Sequence, residues 1–356
     1  MGFEMPFPVA SPLYIDPLDG PILTVVVDTE EEFDWSAPFD VNATSVSNIA
    51  EQSYSQAIFD SHGTVPTYVI DYPVATTPSS RDILRRIADD GRCEIGAHLH
   101  PWVSPPYEGP VDAVHSYPGN LPAELERRKL EALTEAIADG FGRRALIYKA
   151  GRYGIGPATQ RILEDLGYRI DVSVVPYTDF SRQHGPDFRA YGPWPFRVGP
   201  SLVELPLTVG FAGRLAHQGA DLYPALSTSW GIKLRLPGIA ARFGLLERIR
   251  LSPEGHSLDD MKRLTSAALA EGQRFFMVTY HSSSLLPGTT AYVRDLADRQ
   301  VFLDTLDGYL RFFLGDCGGR AEKISAIGLA GTAIAEERLN SASVASGPTY
   351  RDGRMP

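Results

Sequence analysis

Cysteine is nearly absent from this 356-residue chain: Cys93 and Cys317 stand far apart and in no CxxC spacing. That excludes a disulfide framework and a cysteine zinc knuckle as organising devices. Dense basic runs are lacking as well. Acids outnumber bases 44 to 33, for a formal net charge of −11, which argues against nucleic acid as a partner, because that affinity is carried by Lys and Arg neutralising phosphates. No uncharged apolar stretch approaches the ~18 residues needed to cross a bilayer, so membrane insertion is not expected. The opening MGFEMPFPVASPLYID has neither the basic n-region nor the continuous apolar h-region of a signal peptide, and the expected compartment is the cytoplasm. No internal repeat of fixed period is visible.

Apolar material is plentiful: 43% hydrophobic and 10% aromatic residues suffice for one large or two modest cores. After a Pro-, Asp- and Gly-rich arm over 1–20, short apolar or β-branched runs alternate with helical periodicity. ILTVVVDT at 22–29 is a near-continuous apolar run that ends in charge, the pattern of a strand buried on both faces. TVPTYVID at 64–71, CEIGAHLH at 93–100, ALIYKAG at 145–151 and RIDVSVVP at 169–176 read as further strands, with SLVELPLTV at 201–209 and RFFMVTYHS at 274–282 later. Between them, SRDILRRIADDG at 80–91 opens with a Ser cap and ends on Gly, PAELERRKLEALTEAIADGFG at 122–142 is the strongest helix, and PATQRILEDLG at 157–167 is a third. This alternation predicts an α/β fold of parallel βαβ units, in an open sheet or a barrel. Segment 210–255, broken by Pro and Gly, reads as an insertion covering one end. The Ala-, Ser-, Gly- and Thr-rich stretch 321–356 reads as a flexible tail. No second domain is indicated.

Ligands of such folds bind at the carboxyl ends of parallel strands, so polar residues just after an apolar run are the candidates. In VVVDTEEEFDW at 25–35, Asp28 and Glu30 share one face at period two, with Glu31, Glu32 and Asp34 following. Carboxylates placed there are costly without a compensating cation or proton. In EIGAHLHPW at 94–102, His98 and His100 project from the same side of an extended backbone and can converge on one ion. Two His plus a carboxylate is a common ligand set for zinc and related divalent metals. In YKAGRYG at 148–154, Lys149 and Arg152 end a strand, and either cation could hold Asp28 ionised or bind substrate. His281 in MVTYHSSSLLPG at 277–288 is placed to give a proton to a leaving amine. A Ser nucleophile among Ser282, Ser283 and Ser284 has no GxSxG elbow behind it. Trp35, Trp102, Tyr107, Tyr153 and Trp194 could stack on a sugar or pack in the core.

At these four segments, in this order and over roughly residues 20–310, the chain resembles the polysaccharide deacetylases of the NodB-homology, carbohydrate-esterase type, and most closely their WalW-like branch. The resemblance implies a distorted (β/α) barrel of fewer than eight strands over 21–320, hydrolysing an N-acyl amide on a carbohydrate or sugar-like small molecule or oligosaccharide. It implies Asp28 as base, Glu30, His98 and His100 as ligands of a divalent metal such as Zn2+, and His281 as acid. Lys149 or Arg152 would position the base, and Asp171 would be a further carboxylate orienting a His or the Arg. The family's adjacent Asp pair is here Asp28 and Glu30, with Glu31 a rival ligand. Its second His, four residues after the first, is Trp102, and its Arg is Lys149. Two other functions share these residues: hydrolysis of a non-carbohydrate amide or cyclic imide, and sugar binding without turnover. Assembly as a homo-oligomer stays open.

Overall fold

The computed structural model describes residues 6–13 and 20–328. Along the chain run β1 (Ser11–Pro12), β2 (Ile22–Thr29), α1 (Gln52–Ser61), β3 (Thr67–Ile70), α2 (Tyr72–Thr76), α3 (Pro78–Asp89), β4 (Glu94–Leu99), α4 (Ala123–Phe141), β5 (Ile147–Ala150), α5 (Thr159–Leu166) and β6 (Ile170–Asp171). Then come β7 (Phe196–Arg197), β8 (Val203–Glu204), β9 (Val209–Ala212), α6 (Gly219–Leu226), α7 (Ser229–Lys233), α8 (Leu236–Arg242), β10 (Glu247–Arg250), α9 (Leu258–Ala270), β11 (Phe275–His281), α10 (Leu296–Arg311) and β12 (Arg320–Ala321).

All eight residues of β2 are buried, because helices cover one face of the sheet and the barrel interior fills the other. The parallel strands follow the order β8-β6-β5-β4-β3-β2-β11, with β1 and β7 added antiparallel at the β8 edge. Between β8 and β11 the wall is completed by extended segments: Leu207 N donates to Val174 O (3.0 Å), Leu251 N to Thr208 O (2.9 Å) and Thr279 N to Leu251 O (3.2 Å). The result is the expected distorted (β/α) barrel with seven parallel strands. Pairing aligns His281 with Asp28, and His98 with Lys149, so residues 50 to 250 positions apart in sequence arrive at one rim.

The strong helical pattern becomes α4, whose Leu130, Leu133 and Ile137 are buried and which ends on Gly142 in the left-handed region (φ 68°). The helix expected to open with a Ser cap begins earlier, at Pro78. Ser80 lies inside it, and its hydroxyl donates to Val74 O (2.8 Å) instead. Segment 210–255 is organised as the β9–β10 antiparallel pair with α6–α8 between its strands, closing over a small cluster of Phe211, Ala240 and Leu246.

Both chain ends pack on the barrel where described. The arm is docked: Phe7 is fully buried, its N–H and C=O bonded to the Tyr191 hydroxyl (2.9 and 2.6 Å). Of the flexible tail expected over 321–356, the described residues 321–328 are folded. Ala321 belongs to β12, which pairs with the lower end of β2, and Ile324 and Ile327 are core residues. Residues 329–356 lie outside the described residues. No described helix is long and apolar enough to cross a membrane, and both cysteines are free.

Candidate active site

The rim brings Asp28, Lys149, Glu30, His98, His100 and His281 together. Lys149, fully buried, donates from Nζ to both Asp28 oxygens (2.6 and 2.8 Å). Burial alone would raise the Asp28 carboxyl, but Lys149, then His98 and His281, outweigh it and hold the group at about 2. Arg152, the other basic candidate, does not reach Asp28. It takes a left-handed backbone (φ 54°), bonds the Ser116 hydroxyl, and lays its guanidinium 4.1 Å from the centroid of the Tyr117 ring, at the rim of the cleft.

Glu30, His98 and His100 form a set whose ligand atoms lie within 4.8 Å of one another. His98 Nδ1 faces the Lys149 carbonyl (3.0 Å) and His100 Nδ1 faces Glu31 Oε2 (2.8 Å). The Lys149 carbonyl can only accept, so His98 Nδ1 carries the proton and its Nε2 presents a lone pair; with Glu31 ionised the same holds for His100. Those two Nε2 atoms lie 3.3 and 3.4 Å from Glu30 Oε2. Two lone pairs aimed at a carboxylate oxygen, all buried, fit a divalent cation between them. Burial would raise Glu30, but His281, His98 and His100 lower it overall.

Glu31 and Asp71, with His100, form a second set within the same limits. Here, however, Glu31 faces the protonated Nδ1 of His100, and its own backbone N–H donates to Asp71 Oδ2 (2.7 Å). Burial, and then Glu30, push Glu31 up to about 7, while burial and Glu31 push Asp71 well up. Glu31 therefore sits against His100 Nδ1, while Glu30 faces the Nε2 atoms of His98 and His100. Trp102, where the family has a His, is buried and stacks on the His100 ring at 4.3 Å. Gly151 sits so close that a Cβ there would meet Leu99 O at 2.4 Å and His100 Cδ2 at 2.5 Å, so no larger residue leaves the imidazole in place.

Across the cleft, His281 Nδ1 lies 2.9 Å from Glu254 Oε2 and its Nε2 lies 3.6 Å from Asp28 Oδ2. Burial would lower the imidazole, but Glu254, Glu30 and Asp28 raise it well above its usual value. Glu254 also accepts from the Ser284 hydroxyl (2.6 Å) and lies 3.5 Å from Arg250. Ser282 accepts from Glu30 N (3.1 Å), and no described serine hydroxyl is bonded to His281, which disfavours a Ser nucleophile.

Asp171 stands apart from the roles expected of it. Its oxygens accept from the backbone N and the hydroxyl of Ser173 (2.8 and 3.0 Å), and it orients neither a His nor Arg152. Strand pairing sets it opposite Glu204. Of the aromatic candidates, Trp35 and Tyr153 line the 920 Å³ cleft, together with Phe33, Tyr117, Phe180 and Tyr292. Trp102 is packed behind His100, Tyr107 borders a separate small pocket, and Trp194 is half exposed outside the cleft.

Sequence reasoning missed Glu254, Arg250 and Asp71. Asp71 follows the run TYVI and Glu254 follows IRLSP. The strand-end rule that found Asp28 applies to both, and in the second case the Pro- and Gly-broken surroundings hid the strand.

No family model matches the chain, and no curated protein matches it. Among solved structures, it is similar to a protein of Mycobacterium smegmatis provisionally assigned as a polysaccharide deacetylase, with a TM-score of 0.50, 16% identity, and 98% of this chain covering 99% of that one. It is also similar to PuuE allantoinase (TM-score 0.49, 14% identity, 88% and 90% covered). A third is a family 4 acetyl xylan esterase from Clostridium thermocellum in complex with a cobalt ion (0.41, 9%, 86% and 89%). The class defined here is the barrel of the polysaccharide-deacetylase type, as the resemblance implies; at such identities the likeness concerns the fold.

Proposed function

We propose that this protein is a divalent-metal-dependent hydrolase that removes the acyl group from an N-acylated sugar or sugar-like substrate, Zn2+ being the cation best suited to an N2O donor set. The observation that carries the reading is the convergence of two unprotonated Nε2 atoms with Glu30 Oε2, flanked by an ionised Asp28 and a charged His281. A cation held there supplies a water of lowered pKa, near ~7, and polarises the acyl carbonyl.

The chain's own groups supply the rest. Asp28, kept ionised by Lys149, accepts the proton of the water whose oxygen attacks the acyl carbon. The carbon–nitrogen bond breaks as His281 gives its proton to the departing amine, leaving the amine and a carboxylic acid. Glu254 holds the imidazolium in that orientation from behind, and Glu31 and the Lys149 carbonyl fix the tautomers of His100 and His98. Trp35, 54% exposed, and Tyr292, 49% exposed, offer ring faces at the mouth for a sugar.

Elemental analysis of the purified protein, with a screen of N-acetylated sugars and cyclic imides before and after chelation, tests the proposal. Acid released from an acetylated sugar, lost on chelation and restored by metal, is the expected result. Activity untouched by a strong chelator would sink it. Ring opening of an imide alone would move the substrate class, and bound metal with no turnover of any compound would leave a binding barrel.

A further inference from the structure

A second chamber, of 380 Å³, lies between the 177–189 segment and the α6–α8 insertion. Its wall includes Arg248 and Arg182, and its apolar faces are Tyr177, Phe211 and Tyr223, with ring centroids 5.1 and 5.6 Å apart in series. Arg248 is unusual in this acidic chain. Among the described residues it forms no ion pair, its Nη2 bonds only the Thr178 hydroxyl, and its Nε is buried without a hydrogen-bond partner. The charged or polar groups that bear on it are the like-charged Arg250 and the phenols of Tyr223 and Tyr153. A half-buried guanidinium is stabilised by an opposite charge or a full set of acceptors, and among the described residues this one has no ion pair and a buried, unbonded Nε. The chamber's acid, Asp179, is engaged by Arg189 at 3.7 Å and by Ser181 N at 2.9 Å. Arg182 donates one bond, to the Ser229 hydroxyl (3.1 Å).

The chamber also adjoins the catalytic cleft. Gln183 lines both. Arg248 and Arg250 alternate along β10, so they share a face about 7 Å apart, with Arg250 lining the cleft and Arg248 the chamber.

We propose that this chamber binds a phosphoryl group, together with the ring that carries it, and that the substrate is therefore a phosphorylated N-acylated sugar reaching from the cleft past Gln183 to Arg248. Guanidinium groups on the wall of one chamber suit the several oxygens of a phosphate, and the aromatic walls suit a ring. The anion site stands on its own geometry; its place in the substrate path rests on the hydrolase reading above.

Isothermal titration of the full chain with inorganic phosphate, N-acetylglucosamine 1-phosphate and N-acetylglucosamine tests it, on wild type, Arg248→Met and Arg248→Lys. The phosphorylated ligands are expected to bind wild type and to weaken at least about tenfold in Arg248→Met, with Arg248→Lys between. KM should rise for the phosphorylated substrate while turnover of the neutral sugar is unchanged. Equal phosphate binding by wild type and Arg248→Met, or none by either at millimolar concentration, overturns the proposal. Should Arg248→Met not fold, Arg182→Gln decides by the same criterion. Phosphate binding that depends on Arg248 without hydrolysis of any acetylated compound keeps the chamber and removes the hydrolase reading; the converse result keeps the hydrolase and removes the chamber.

Discussion

Carboxyls are buried side by side at two places on the same barrel, and the two places behave oppositely. At the end of β2, Asp28 and Glu30 are surrounded by Lys149, His98, His100 and His281, and both carboxyls are lowered despite burial. On β6 and β8, Asp171 and Glu204 face each other with Ser173 and backbone N–H groups as their bonded partners. There burial wins: Asp171 rises to about 6 and Glu204 well above its usual range. Burial is common to both, so it does not distinguish a reactive site from a structural one. What distinguishes them is the supply of cations, which lowers the carboxyls of the first pair and leaves those of the second raised.

Several perturbations would break or sharpen that contrast. On the proposed reading, treatment with a chelator, or Glu30→Ala, should abolish turnover and metal content together, read by elemental analysis alongside product release. Asp28→Asn should cut kcat by about 10² to 10⁴ while circular dichroism stays native; a near-native rate would remove Asp28 from the base role. Lys149→Met leaves Asp28 buried without its partner, so a loss of about 3–5 kcal/mol in urea unfolding is expected, in addition to lost activity. Glu254→Gln removes the charge that holds His281 up. The alkaline limb of the pH–rate profile should therefore move to lower pH, because the acid form of His281 is lost sooner.

The smallest effect belongs to the other pair. Asp171 is raised from 3.8 to about 6, so the folded state binds the proton more tightly than the unfolded one. Its contribution to stability is complete below about 3.8 and disappears as pH climbs through about 6. Asp171→Asn should flatten that decline in urea titrations between pH 4 and 7 and leave the rate of the proposed hydrolysis near native. A collapse in kcat with unchanged stability would return Asp171 to the catalytic group.

Asp28 and His281 could be read from the sequence because each is a polar residue at the end of an apolar run, where a strand buried on both faces tolerates charge, and His98 because it alternates with His100 on an extended run. The alternation of runs and helices carried the barrel in the same way. The choice between Glu30 and Glu31 could not be read there. Both neighbour Asp28 in the sequence, and it is the position of His100, one Nδ1 against Glu31 and one Nε2 against Glu30, that separates them. Lys149 and Arg152 were equally open: three residues apart, one faces inward along β5 and the other turns outward on a left-handed backbone. Glu254 was hidden in a segment whose strand, β10, pairs outside the main sheet.

The sequence by itself determined which residue types stand at strand ends, since hydrophobic patterning is a local property of a few consecutive positions. Which carboxyl meets which nitrogen, and which is left to share a proton, was decided by tertiary structure. Those pairings depend on the register of strands up to 250 positions apart, and on which cations burial brings within reach of each acid.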